Sequence, residues 1–506
     1  MQILSNKLTR FTQFCLISLS LTLTVVAQNS LVRFEKSIEA GQLVEVEKDL
    51  FSYVIANPKD AKGFALLAKM RLKQNRLNEA KSLASKSLTL DAKSVSAKFT
   101  LAETYYQLGE IEQSRAVLNS ISANEILDDS IRLNIAELYS QTEDCPKALV
   151  LSEKLSVKIK NREALPFRAT CYLELGDKKN FASLIPSAKL LAKQNPTIVV
   201  RFAEVLSKAA MHKEATDLLR LVIISAQKNM DALLLLAKSE IYLKDFANAK
   251  IHLAQAEKIQ PNSGELLFVK SFLESEQGNT AQSLELIEKS LAENPNNTEF
   301  LTQFVISAMR ANQAGKAVRG AQSLLNLQPE NPEYLYLFGA ASLQNNNLQN
   351  AESSLVKFLE ARPNDSRGCV ALGLTYAAQP EKLVEARIQM QKCLVINPNN
   401  YEASYQLGLS YKTQGETPKA IEFLEQTVKL APNNAPALRD LGAVYLQSGA
   451  ETQARIVLEK AVALDPKDSD THFQLSRLYN LTGERELAKK HLEIFQKLKN
   501  PKKDGM

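Results

Sequence analysis

The four histidines come first as candidates for metal binding or acid–base catalysis, because imidazole can do both near neutral pH. His212 and His252 stand apart in the sequence, and His472 and His491 are not at metal-ligand spacing on one helix. No glycine-rich phosphate loop, GxSxG turn, HExxH helix or CxxC pair occurs anywhere in the sequence. We therefore expect no catalytic residues, no metal site and no cofactor.

Four of the cysteines form two pairs that are close in sequence, Cys145 with Cys171 and Cys369 with Cys393. Two thiols can form a disulfide only where their Cα atoms come within about 7 Å. The alternative for each pair is two small buried thiols in a hydrophobic core. The elements that carry the cysteines decide between these outcomes.

A motif that returns every 34 residues defines those elements. Within one period, apolar residues fall at helical spacing twice, separated by Gly415 and closed by Pro432. Gly408 and Ala420 are small enough for two helices to approach closely. The pattern predicts helix, turn, helix and stop. The recurring residues are Leu407, Gly408, Tyr411, Gly415, Ala420, Leu424 and Pro432, then Leu441, Gly442, Tyr445, Gly449, Ala454, Leu458 and Pro466.

These residues resemble the tetratricopeptide repeat, a helical hairpin of this length with small, aromatic and proline residues in this order. Weaker copies continue in phase toward both ends, so that about fourteen units tile 27–502, with one extra residue in the turn near Pro380. The resemblance implies an all-α fold, a right-handed superhelical α-solenoid of about fourteen hairpins. The family's first-helix tryptophan is absent, and Ser404, Leu438 and His472 take its place.

The stretch 156–196 is less regular than the rest. Pro166 falls inside a predicted first helix and Pro186 inside a predicted second helix, where proline removes a backbone hydrogen bond and kinks the helix. We therefore predict a bend between a divergent N-terminal array, 28–195, and a regular C-terminal array, 196–502. A short tail, 503–506, follows.

The predicted hairpins place Cys369 early in a first helix and Cys393 late in the second helix, so antiparallel packing brings them opposite each other. A disulfide between them is geometrically allowed and needs an oxidising compartment. Cys145 begins a second helix and Cys171 ends the next first helix. These two are offset by about a turn, which is less favourable for a bridge.

Residues 1–27 have the features of a secretory signal peptide: Lys7 and Arg10, an apolar run from Phe11 to Val26, and a small residue before the cut. We therefore expect an exported protein, periplasmic or secreted. The alternative is an uncleaved membrane anchor, although the run is short for a span. No second such run follows, so no integral span is expected after cleavage.

The net charge of +6 is spread along the chain, which argues against nucleic-acid binding.

By resemblance, the first helices line the concave face of the array, where a peptide or an extended segment of a protein partner would lie. An aromatic stripe with interspersed cations suits a ligand with apolar side chains and some negative charge. The alternative is that much of this stripe only packs successive first helices together. The predicted groove residues are Phe268, Phe272, Met309, Arg310, Tyr336, Leu343, Tyr405, Leu409, Lys412, Arg439, Leu446, Phe473 and Arg477. The N-terminal half has a more charged lining of Lys62, Lys69, Lys73, Glu103, Tyr106, Glu137 and Glu204.

The repeats leave no segment large enough for a separate catalytic domain, so an enzyme is the weakest interpretation. The leading hypothesis is a noncatalytic scaffold that binds protein partners in the groove within an exported compartment. The alternative is an accessory periplasmic subunit of an envelope export or polysaccharide secretion machine. The identity of the partner and the oligomeric state are open at this point.

Overall fold

A computed structural model describes residues 30–122, 126 and 128–499. Over these residues the secondary structure is helical, with no β-strand. The chain divides into two compact units, unit 1 ending at Ile259 and unit 2 beginning at Gln260. The predicted signal segment, 1–27, and the tail, 503–506, lie outside the described residues.

The helices of unit 1 are 30–39 (α1), Leu43–Ala56 (α2), Ala61–Lys73 (α3), Leu77–Leu90 (α4), Val95–Gln107 (α5), Ile111–Asn119 (α6), Asp129–Gln141 (α7), Cys145–Glu153 (α8), Val157–Lys160 (α9), Leu165–Glu174 (α10), Lys178–Leu191 (α11), Pro196–Lys208 (α12), His212–Ser225 (α13), Met230–Tyr242 (α14) and Phe246–Ile259 (α15). Those of unit 2 are Gly264–Glu276 (α16), Thr280–Glu293 (α17), Thr298–Arg310 (α18), Ala314–Leu327 (α19), Pro332–Gln344 (α20), Leu348–Ala361 (α21), Ser366–Ala377 (α22), Leu383–Ile396 (α23), Tyr401–Thr413 (α24), Thr417–Leu430 (α25), Ala435–Gln447 (α26), Glu451–Leu464 (α27), Ser469–Leu481 (α28) and Arg485–Lys499 (α29).

Within each unit, consecutive helices pair as hairpins, and the second helix of one hairpin packs on the first helix of the next. Apart from the single-turn α9, the described helices form seven hairpins in unit 1 and seven in unit 2. Each unit is therefore an α-solenoid, a stack in which every hairpin buries its apolar face against its neighbours. The predicted all-α fold of about fourteen hairpins is confirmed.

A left-handed backbone residue ends the first helix in thirteen of the described hairpins. Most of these residues are 34 positions apart, and all have φ between 55° and 84°: Gly41, Asn75, Gly109, Glu143, Gly176, Ala210, Lys244, Gly278, Asn312, Asn346, Gly415, Gly449 and Gly483. The hairpin α22/α23 differs because a 3₁₀ helix, Pro380–Lys382, occupies its turn. The extra residue predicted near Pro380 lies in that 3₁₀ turn.

Small residues allow the two helices of a hairpin to come close. A Cβ atom added at Gly442 would lie 2.6 Å from Leu458 Cδ2, and one added at Gly408 would lie 2.7 Å from Leu424 Cγ. Ala420 is fully buried. The steric role predicted for the glycine and the alanine is therefore present in these hairpins.

Twelve of the described first helices share a second periodic feature, an N-cap side chain that accepts a backbone N–H from the first turn; α10 has no such cap. We predicted Pro432-Asn433-Asn434 only as a stop, whereas Asn434 also starts α26 by accepting from Ala437 at 3.0 Å. The same cap is made by Asp60, Ser94, Asp128, Asn195, Asn229, Ser263, Asn297, Asn331, Asp365, Asn400 and Asp468.

The prediction for Pro166 was wrong. The helix α10 begins at Leu165, so Pro166 lies in its first turn, where the backbone N–H has no helical partner and proline is tolerated. Pro186 does lie inside α11, as predicted. One hydrophobic cluster runs from Leu165 to Leu236, across the proposed array boundary at 195/196. The bend and that boundary stay predictions.

Candidate partner-binding site

A cavity of about 500 Å³ opens between four successive first helices of unit 2, α18, α20, α22 and α24. We call it the Tyr336 cavity, and it is lined by Met309, Tyr336, Ala340, Leu343, Gln344, Ser366, Arg367, Val370, Ala371, Leu374, Asn400 and Glu402. Seven of these side chains are apolar or aromatic and five are polar. Three residues predicted from register for the groove, Met309, Tyr336 and Leu343, therefore lie together.

One wall of the Tyr336 cavity is built by Tyr336 and Arg367. The guanidinium carbon lies 4.8 Å from the centroid of the phenol ring, which also contacts Phe358 at 5.4 Å. Arg367 donates to both carboxylate oxygens of Glu333, at 3.0 and 3.2 Å, and to Asp365 at 2.8 Å. These hydrogen bonds, to Asp365 and then Glu333, raise the pKa of Arg367, and burial raises the pKa of Tyr336. The wall is thus a neutral phenol beside a cation already held by two carboxylates.

Asp440 gathers three of the predicted groove residues further along unit 2. Its carboxylate accepts from Tyr405 Oη at 2.8 Å, Lys412 Nζ at 2.6 Å and Arg439 Nη2 at 3.0 Å. Burial alone would raise the pKa of Asp440, but Lys412 and Arg439 outweigh it and hold the pKa below its usual value. Arg439 also donates to Asp468 at 3.2 Å. These predicted groove cations are therefore paired within the protein.

The aromatic groove residues nearest the start of unit 2 are partly core. Phe268 is 7% exposed and stacks on Phe300 with ring centroids 5.1 Å apart. Phe272, on the same helix, is half-buried. At Phe268 the structure thus favours packing between successive first helices, the alternative that the sequence left open.

The remaining predicted residues do not join the Tyr336 cavity. Arg310 is exposed and donates to Ser275 and Glu276. Phe473 is 38% exposed with its ring 5.2 Å from that of Phe495, and Arg477 donates to Gln474 at 3.1 Å. Leu446 is buried. Leu409 lines a separate cavity of about 400 Å³ with Ala377, Leu383, Ala386, Arg387, Met390, Gln406, Leu407, Ser410, Thr413 and Gln414.

Unit 1 has a cavity of about 930 Å³ between α1, α3, α5 and α7. Four residues that we predicted for a charged lining, Lys69, Lys73, Glu103 and Glu137, meet there. Lys69 pairs with Glu39 at 3.2 Å. Burial raises the pKa of the Glu103 carboxyl, against the opposing effect of both lysines. This cavity is polar, in contrast to the Tyr336 cavity.

Both cysteine pairs lie at bridging distance. The Cα atoms of Cys369 and Cys393 are 5.6 Å apart within one hairpin, and those of Cys145 and Cys171 are 5.0 Å apart between α8 and α10. The offset expected for the second pair does not prevent this approach. The geometry allows two disulfides, and we propose below that the compartment supplies the oxidising conditions.

Three of the histidines contact side chains within their own hairpins, and His212 stacks on Tyr242 of the next hairpin with ring centroids 4.3 Å apart. His252 Nδ1 is 2.7 Å from the buried Glu240, and His472 Nδ1 is 2.9 Å from His491 Nδ1. Within the described residues, no group of three or more His, Cys, Asp or Glu side chains could hold a metal ion. No helix in that part of the chain is long and apolar enough to cross a membrane.

Comparisons with known proteins agree with the hairpin fold. A family profile described as "Tetratricopeptide repeat" matches residues 71–125 and 411–469, and a second profile with that description matches 231–263. The chain is 24% identical over 330 residues to "Cellulose synthase operon protein C" of Pseudomonas fluorescens (strain SBW25). That alignment covers 59% of this chain and 26% of the relative, so it spans about a quarter of the relative's length.

Among solved structures, the chain is similar to one in the "Crystal structure of APC/C hetero-tetramer Cut9-Hcn1". The TM-score is 0.46 at 14% identity, over 88% of this chain and 95% of the other. The matched profiles coincide with described hairpins in the N-terminal part, the middle and the C-terminal part of the chain. The chain therefore carries tetratricopeptide repeats in the matched segments, and the other described hairpins repeat the same helix–turn–helix form.

Proposed function

We propose that this protein is a noncatalytic scaffold that binds extended segments of partner proteins on the first helices of unit 2. The observation that carries the proposal is the Tyr336 cavity, an apolar hollow shared by four successive first helices. Burying one leucine- or phenylalanine-sized side chain there is worth roughly 1.5–3 kcal/mol. Tetratricopeptide repeats support an interaction scaffold of this general kind.

Except for Glu402, the charged and amide side chains of the Tyr336 cavity already have structural roles. Arg367 is held by Glu333 and Asp365. Asn400 caps α24 by accepting from Ala403, and its amide donates to Ser366 at 2.9 Å. Groups fixed in this way position a bound segment rather than exchange protons with it. We therefore propose binding without catalysis.

We propose that the protein works in an exported compartment. The two cysteine pairs, with Cα separations of 5.0 and 5.6 Å, suit an oxidising environment. The signal-like composition of residues 1–27 supports the same location.

A second candidate function is an accessory periplasmic subunit of an envelope export or polysaccharide secretion machine. The similarity to a protein named for a cellulose synthase operon favours it, at 24% identity. This candidate predicts co-purification with an envelope complex. A protein recovered as a free species, with no envelope association, would contradict it.

The scaffold proposal is tested by a crosslinking pull-down from source cells with tagged full-length protein. The double variant Tyr336→Ala with Leu343→Ala removes the two largest predicted groove side chains from the Tyr336 cavity. The matched control is Phe51→Ala with Leu190→Ala, which removes one aromatic ring and one leucine from exposed positions in unit 1. We expect partner recovery to fall about tenfold for the cavity variant and to stay at the wild-type level for the control. Equal recovery from all three proteins would contradict the proposal.

A further inference from the structure

We infer that the Tyr336 cavity takes an apolar side chain whose neighbour in the partner segment is a lysine or arginine, and that this cation pairs with Glu402. The inference rests on the proposed function and adds the chemistry of the partner. It follows from which charges around the cavity are already satisfied.

The cation of the cavity wall is fully engaged. Arg367 forms a two-point pair with Glu333 and hydrogen bonds with Asp365 through Nε at 3.2 Å and Nη2 at 2.8 Å. Arg362 lies 3.4 Å from the same Glu333 carboxylate. Two arginines are therefore balanced by two carboxylates, and this cluster carries no net charge toward a ligand.

Glu402 is the charged residue of the lining that does not take part in these ion pairs. It is the second residue of α24, it is exposed, and it lines the Tyr336 cavity. Within the described part of the chain, its carboxylate has neither an ion pair nor a hydrogen bond. Its negative charge also adds to the effect of burial in raising the pKa of Tyr336, consistent with a position facing the same hollow.

An acidic segment would fit this site poorly. It would meet Glu402, and it could recruit Arg367 only by breaking charge-assisted hydrogen bonds to Glu333 and Asp365, which are stronger than neutral ones. The other polar side chains of the lining are neutral. Among them, Gln344 Nε2 donates to the Met309 carbonyl oxygen at 3.0 Å. The favoured partner segment is apolar and basic, opposite in charge to the one expected from the sequence.

A peptide array tests the inference with the purified full-length protein. The probes are acetylated Gly-Ser-X-Φ-Z-Ser-Gly peptides at high density, with Φ as Leu, Phe or Ala and with X and Z as Lys, Arg, Ser or Glu. We expect probes with Leu or Phe beside Lys or Arg to bind about three- to tenfold better than those beside Glu. Probes with Ala at Φ should lose most of the signal, because they leave the apolar side chains of the cavity uncovered.

Charge reversal identifies the residue that reads the cation. Glu402→Lys should reverse the preference toward probes with Glu. The matched control is Glu451→Lys, which places the same charge change in the first turn of α27, away from the cavity. This control should keep the wild-type preference, and circular dichroism checks that both variants retain their helix content.

Each other outcome has a distinct meaning. Binding of apolar probes without a preference for Lys or Arg would overturn the inference and leave the scaffold proposal standing. If Glu402→Lys still prefers probes with Lys or Arg, the inference is also overturned, because another carboxylate must then pair with the cation of the probe. Failure of the folded wild-type protein to bind any apolar probe would overturn the proposed function itself.

Discussion

Substituting Gly442 with alanine should destabilise the hairpin α26/α27 by about 2 kcal/mol. The added Cβ would lie 2.6 Å from Cδ2 of Leu458, closer than two carbons can approach. Leu458 is fully buried, so it cannot swing into solvent, and overpacking of this kind costs up to about 3 kcal/mol. Alanine regains about 1 kcal/mol through its better helix propensity. The free-energy cost of overpacking therefore exceeds the gain from helix propensity.

Hydrogen exchange measured by mass spectrometry is the suitable assay, because repeat arrays open locally and one global unfolding energy is poorly defined for them. A loss of about 2 kcal/mol corresponds to roughly 30-fold faster exchange of the protected amides in α26 and α27. Amides in unit 1 should exchange at the wild-type rate in the same experiment.

The control is Gly315→Ala, also inside a helix, where the nearest atoms to an added Cβ lie 3.9 and 4.0 Å away. This substitution should leave stability unchanged or raise it by about 0.5 kcal/mol. The double variant Gly442→Ala with Leu458→Ala should cost less than the sum of the single substitutions, because the clash is removed. If Gly442→Ala behaves like Gly315→Ala, the close approach of the two helices is refuted.

Three further predictions concern titration, backbone strain and covalent links. Burial, followed by the charges of His472 and a neighbouring lysine, lowers the pKa of His491, so its neutral form is favoured in the folded state. The C-terminal hairpin should therefore lose stability as the pH falls below about 6.5, seen as faster hydrogen exchange, and His491→Phe should reduce this dependence. Ala210→Gly should raise the thermal midpoint, because Ala210 has a left-handed φ of 58° that glycine adopts without strain. The strain relieved should exceed the entropy cost of glycine by about 0.5–1 kcal/mol. An unchanged midpoint would show that Ala210 is not strained. The thiols of Cys369 and Cys393, separated by 24 residues, should resist alkylation until reduced, and oxidation should stabilise the protein by about 3 kcal/mol; free thiols in the exported protein would contradict this.

The fold could be predicted from sequence because the same helix–turn–helix pattern occurs in many successive repeats. A glycine at 408 and again at 442 has one steric explanation in both places, and the structure bears it out at each. Pro166 was misassigned because the irregular α9 shifts the start of the next helix to Leu165. The Asn434 cap was not predicted because Pro432 already accounts for the end of the preceding helix, although the capping residue recurs along the repeats.

The site was only partly predictable. The position of a residue in the repeat shows which face of the helix it lies on, but not which side chains of neighbouring hairpins pack against it. Tyr336 has the cavity beside it, whereas Phe268 has Phe300 stacked on it. Asp440 was missed altogether, although it is charged where Gln406 and Gln474 are neutral at the same repeat position. Pairing between side chains on different hairpins cannot be inferred from a single repeat.

The most direct test of the account is photocrosslinking from the Tyr336 cavity in source cells. Benzoylphenylalanine is placed at Gln344, an exposed residue of the lining, and at the exposed Leu243 in unit 1 as the matched control. We expect crosslinks from position 344 to a protein segment that contains apolar and basic residues, with few or none from position 243. Crosslinks from position 243 but none from position 344, in cells where a partner co-purifies with the protein, would contradict it.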